Sequence, residues 1–124
     1  KNDSDVVDTA RFNSSKAVVA YQQGQLVTGF IEGQIGDTFT IESDKSQSTN
    51  GYTGTAMLYD ASKNPINSLI YGATADGGWT WTSNGLSGTL TIPASYSNMT
   101  FTGTTFVRFC IAYTDINSIV ITKS

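Results

Sequence analysis

The sequence predicts an all-β fold, an antiparallel β-sandwich or jelly roll of about eight or nine strands, from three observations. Short segments alternate apolar and polar residues at a period of two, which gives each one apolar face. Turn residues interrupt these segments about every ten positions, the spacing of a sandwich built from short strands. Helical periodicity is almost absent. Composition agrees, because charged residues are 14% and hydrophobic residues 39%, leaving Thr, Ser, Asn, Gln and Gly to make most of the surface. The 124 residues are expected to form one domain, 1–124, able to bury a core without metal or disulfide staples.

Residues 1–15 read as a polar leader, and KAVVAYQQ (16–23) as the first strand. LVTGFIE (26–32) follows a Gln-Gln-Gly-Gln turn. DTFTIES (37–43) puts Phe39 and Ile41 on one side and Thr38, Thr40 and Glu42 on the other. SDKSQSTNGYTG (43–54) is the longest expected loop. GTAMLYD (54–60) and PINSLIYG (65–72) flank the turn ASKN as two strands with a short connection. WTWT (79–82) is a short strand or loop ridge before an Asn84-Gly85 turn. GTLTIP (88–93) points Leu90 and Ile92 inward and Thr89 and Thr91 outward. TTFVRFCIAY (104–113), the most apolar run, reads as a central strand buried on both faces. NSIVITKS (117–124) closes the chain with Ile119 and Ile121 on one face.

The residue inventory speaks against catalysis. Without histidine there is no Ser-His-Asp or Cys-His arrangement and none of the commonest zinc ligand. Cys110 lies in an apolar run and reads as a small buried hydrophobe rather than a nucleophile. Glu32 and Glu42 are the two glutamates, and Asp37, Asp44, Asp60, Asp76 and Asp115 fall at turns, where carboxylates cap backbone amides. No enzyme and no cofactor are expected. Calcium is the one metal reading with support, from Asp3, Asp5 and Asp8, although their spacing lacks the glycine turn of a known calcium loop. A net charge of −3 with scattered Lys and Arg excludes a nucleic-acid footprint. No apolar run approaches the ~20 residues that span a bilayer, so no membrane insertion is expected. No signal peptide opens the chain, and Lys1 in place of methionine suggests a processed or excised piece. Three sequons, at Asn2, Asn13 and Asn98, matter only in a eukaryotic secretory pathway.

The stretch DGGWTWTSNG (76–85) raises the functional question. Trp79 and Trp81 are two apart, so in a strand their side chains share a face. Turned outward they form a flat platform for sugar C–H faces, with Asp76 and Asn84 beside it for hydroxyls. Tyr52, Tyr71 and Tyr96, in or beside loops, complete the candidate ligand-binding set. Turned inward, the same alternation with threonine makes both tryptophans core. Arg108 faces away from Val107 and Phe109 in an apolar strand. It needs an ion pair or backbone carbonyls for its head, or else a ligand or subunit contact.

Four segments in succession carry a resemblance: VTGFIEGQIGDTFTI (27–41), MLYDASKNPI (57–66), GTLTIP (88–93) and TFVRFCIAYTDINSIVIT (105–122). Together they resemble a β-sandwich module in tail-fibre and baseplate proteins of phages and prophages of Gram-positive bacteria. The resemblance covers residues 26–122 in order, with Glu32 standing where the pattern has an apolar residue or proline. Residues 72–87 look like an insert particular to this chain. The resemblance implies a non-catalytic, extracellular or virion domain, often part of a trimeric fibre, that contacts the bacterial surface and its glycans. Similar sandwiches serve as carbohydrate-binding modules in secreted enzymes. No binding residues are carried over. The alternative function is a structural or oligomerisation module of a fibre with no ligand of its own.

Overall fold

The computed structural model describes residues 6–13, 15–49, 52–73 and 77–124, leaving aside the side chains of Asn67 and Ser68. In chain order the first strands are β1 (Val7–Asp8), β2 (Ala10–Phe12), β3 (Val18–Ala20), β4 (Gln25–Val27) and β5 (Ile31–Glu32). Then come β6 (Thr38–Glu42), β7 (Thr55–Tyr59), β8 (Pro65–Tyr71), β9 (Trp79–Trp81) and β10 (Ser87–Thr91). β11 (Ser95–Tyr96), β12 (Met99–Thr100), β13 (Phe106–Ala112) and β14 (Val120–Lys123) complete the set.

These strands form two antiparallel sheets packed face to face. One runs β1-β4-β13-β7-β8, with β5 also paired to β13; the other runs β14-β6-β10-β9. Two hairpins, β2-β3 and β11-β12, stand apart from both sheets. The all-β sandwich expected from period-two alternation is the fold observed. Phe39, Ile41, Trp79 and Leu90 from the smaller sheet meet Leu26, Leu58, Phe109 and Ile111 from the larger one. Phe109 is central, with the rings of Phe39 and Trp79 edge-on to it at 5.8 and 5.9 Å between centroids. Thr38 with Thr91 and Thr40 with Thr89 pair by hydroxyl across the outer face, as the alternation requires.

The described residues hold fourteen short strands rather than eight or nine. LVTGFIE is split. Val27 pairs with Cys110 and Ile31 with Val107, so four steps along this segment match three along β13, which is a β-bulge. Thr28 fills the gap, its N–H donating to the Phe109 carbonyl at 2.8 Å and its hydroxyl accepting from the Phe109 N–H at 2.9 Å. The bulge also answers the question of Arg108. Its Nε donates to the Thr28 carbonyl at 2.8 Å, and its guanidinium lies 4.4 Å from the Phe30 ring. The strand itself is buried from Val107 to Ala112, as a central strand should be.

The expected leader is the larger correction. β1 pairs with β4 at the edge of the larger sheet, and β2-β3 lies over that sheet's outer face. Val27, Met57 and Cys110 alternate with the inward residues and so point away from the sandwich interior. Ala10 and Phe12 cover them as a second core cluster. The turn aspartates behave as capping residues: Asp60 accepts from the N–H groups of Ser62 and Asn64, and Asp115 from that of Asn117.

Candidate functional site

The double tryptophan does not form an outward platform. Trp79 is 2% exposed and Trp81 is half-buried, and the two rings stack at 5.1 Å with 15° between planes. Both indoles donate across to the rim of the larger sheet, Trp79 to the Ile70 carbonyl at 3.2 Å and Trp81 to the Gly72 carbonyl at 2.9 Å. The physical reason is a match of periods. Side chains two apart on β9 meet carbonyls two apart on and just past β8, so burial leaves neither indole N–H unsatisfied. A Cβ on Gly54, Gly72 or Gly88 would fall within about 3 Å of Trp81, so that indole is bedded on glycine backbone. The platform reading of Trp79 and Trp81 is corrected to a staple between sheet edges.

The remaining candidates scatter. Asp76 lies outside the described residues. Asn84 is exposed, but its carboxamide oxygen accepts from the Leu86 N–H at 3.0 Å and the Thr82 hydroxyl at 2.8 Å, which makes it a turn residue. Tyr96, on β11, packs half-buried against the core between the sheets. Of the calcium candidates, Asp3 and Asp5 also lie outside the described residues. Asp8 accepts from the Thr9 N–H at 2.8 Å and from the Tyr113 hydroxyl. Among the described residues no group of three or more His, Cys, Asp or Glu is placed to hold a metal ion. Among them too, no helix is long and apolar enough to cross a membrane.

Tyr52 and Tyr71 do come together. They line a groove of about 470 Å³ with Arg11, Asn13, Lys16 and Leu69, and they are 41% and 45% exposed. Tyr71 ends the edge strand β8, and Tyr52 sits at the end of the long loop after β6. Tyr21 meets Tyr52 edge-to-face at 4.9 Å. The Arg11 guanidinium lies 4.4 Å from the Tyr52 ring and 5.1 Å from that of Tyr21. One guanidinium nitrogen donates to the Phe12 carbonyl at 3.1 Å, while the buried Nε has no hydrogen-bond partner. On the far side of Tyr52 a second groove, about 370 Å³, is lined by Tyr21, Gln22, Gln23, Lys45 and Ser48. Tyr52 thus lines both grooves.

The β2-β3 hairpin places the cations. Ala10 and Phe12 point into the outer core, so Arg11 between them points away from it. The turn is held by Asn13, whose carboxamide oxygen accepts from the N–H groups of Ser15 at 2.9 Å and Ala17 at 3.0 Å. Beneath the hairpin, burial pushes the Cys110 thiol up to about 12, leaving it protonated and inert near neutral pH. Arg11, Lys16 and Tyr21 were not among the residues singled out in the sequence. The signal for them is the alternating pair ARF and VVA on either side of NSSKA, which reads as a hairpin once residues 1–15 are not set aside as a leader.

No family model, curated protein or solved structure matches the chain.

Proposed function

We propose that this chain is a non-catalytic domain that binds a cell-surface glycan in the groove between Tyr52 and Tyr71. The observation that carries the reading is the exposure of these two rings, 41% and 45%, in one concave site that also holds Arg11 and Asn13. Large aromatic surface left in water marks interaction sites, and sugars offer flat C–H faces to rings and hydroxyls to amide and guanidinium groups. The two glutamines and Lys45 beyond Tyr52 extend the polar lining, which suits a ligand longer than one sugar. A bacterial surface polysaccharide, met by a phage-like tail fibre or a secreted multidomain protein, is the setting that the ordered resemblance over residues 26–122 supports.

The test is a glycan array followed by titration with bacterial cell-wall polysaccharide, using the wild type and Tyr52→Ala/Tyr71→Ala. Each stacked ring contributes on the order of 1 kcal/mol, so the double variant is expected to bind about 10- to 30-fold more weakly. A double variant with wild-type melting behaviour and unchanged binding would sink the proposal.

A further inference from the structure

We infer that the sugar unit seated in this groove carries a negative charge, a carboxylate or a phosphodiester; the inference rests on the glycan-binding reading. The groove is walled by two cations, Arg11 and Lys16, and none of its described lining residues is acidic. That runs against the chain as a whole, whose net charge is −3. Two cations elsewhere have partners inside the protein. Lys123 pairs with Asp37 at 3.3 Å, and Arg108 donates to the Thr28 carbonyl at 2.8 Å. Arg11 has no carboxylate partner among the described residues, and its Nε is the one buried side-chain donor there without a hydrogen bond.

Holding an arginine this way is costly without a counter-ion. Its charge lies beside the edge-to-face pair of Tyr21 and Tyr52, and a buried donor left unpaired is destabilising. The arrangement also fixes the guanidinium plane, which prepares its remaining N–H groups for the forked pairing that carboxylates and phosphates accept. Lys16, at the hairpin turn, adds a point charge to the same groove. Tyr52 and Tyr71 would then take the ring of the sugar whose anion meets Arg11.

Calorimetric titration of the full chain with three polymers tests this: polygalacturonate, the same polymer with its carboxyls reduced, and a phosphodiester-linked sugar polymer, poly(N-acetylglucosamine 1-phosphate). At least one anionic polymer is expected to bind about tenfold or more tighter than the reduced one, with affinity falling as salt rises. Arg11→Gln should bring that polymer to the level of the reduced one, and Lys16→Gln should weaken it less. Which anionic polymer responds tells a carboxylate from a phosphodiester. Should the reduced polymer bind as tightly as both anionic ones, the charge inference falls and the glycan reading stands. Anionic binding that survives Arg11→Gln, or that survives Tyr52→Ala/Tyr71→Ala, also overturns it, because the anion then sits elsewhere. Binding to none of the three, with a blank glycan array, takes down both. Melting curves for each variant separate lost binding from lost folding.

Discussion

The carboxamide of Gln47 pairs with the backbone of Ala112 as a neighbouring strand would. Its oxygen accepts from the Ala112 N–H at 2.8 Å, and its nitrogen donates to the Ala112 carbonyl at 3.0 Å. The same nitrogen reaches the Lys45 carbonyl at 3.0 Å and the Ser43 hydroxyl at 3.1 Å. One side chain thus pins the long loop that carries Tyr52 to the end of β13.

Gln47→Ala is expected to cost about 1–3 kcal/mol, because it orphans the buried Ala112 N–H, while the Ala112 carbonyl keeps the Ser43 hydroxyl. Gln47→Glu should also destabilise, since a carboxylate can accept from Ala112 but sets an oxygen against its carbonyl. Chemical denaturation of the two variants measures both. If either variant matches the wild type, the pairing contributes nothing.

Gly88→Ala tests the bedding of Trp81. The new Cβ would stand 2.4 Å from the indole, so the ring must move, at about 1–3 kcal/mol of overpacking. Displacing the ring breaks its bond to Gly72 and lets water in, so tryptophan emission should shift red as the melting temperature falls. Unchanged emission together with unchanged stability would mean that the indole is not held there.

The pH dependence has two predicted edges. The Thr114 N–H holds the Asp44 carboxyl below its ordinary 3.8; burial opposes this and the Asp115 N–H adds to it. A depressed carboxylate contributes stability above its unfolded value and loses it as pH falls through the folded one. Asp44→Asn should therefore be less stable than wild type at pH 6, with the gap closing below about pH 4. At the alkaline end, burial first and then the Asp8 carboxylate push the Tyr113 hydroxyl up to about 12. The folded state then holds a proton the unfolded chain has released, so stability falls between about pH 10 and 12. Tyr113→Phe should lose less than wild type across that window in pH-jump unfolding. An equal loss would assign the effect to other tyrosines.

How far the sequence could be read depended on whether the deciding contacts were local. Phe39 and Ile41, Leu90 and Ile92, and the run through Cys110 were legible because period-two burial writes itself directly into a strand. Asp60 was legible for the same reason, since its partners lie within four residues. The direction of Trp79 and Trp81 was not, because alternation says that two residues share a face but not which face is inside. The bulge at Thr28 is set by its partner strand, which no local pattern reveals. The groove joins Arg11, Tyr52 and Tyr71 from three distant segments, so two of its members could be named and their meeting could not.

The tryptophan staple has a consequence for how the two sheets may slide. Stacked faces of aliphatic side chains tolerate small translations, because dispersion has no preferred direction. Two parallel N–H donors aimed at the Ile70 and Gly72 carbonyls do not tolerate them. A shift of one residue along β8 would bring up backbone whose carbonyls point to the opposite edge of the strand, and both donors would lose their acceptors. The W-x-W pair thus acts as a vernier, fixing the offset between layers at one setting. Tyr71, between the two carbonyls and facing the other way, has its position in the groove set by the same two bonds.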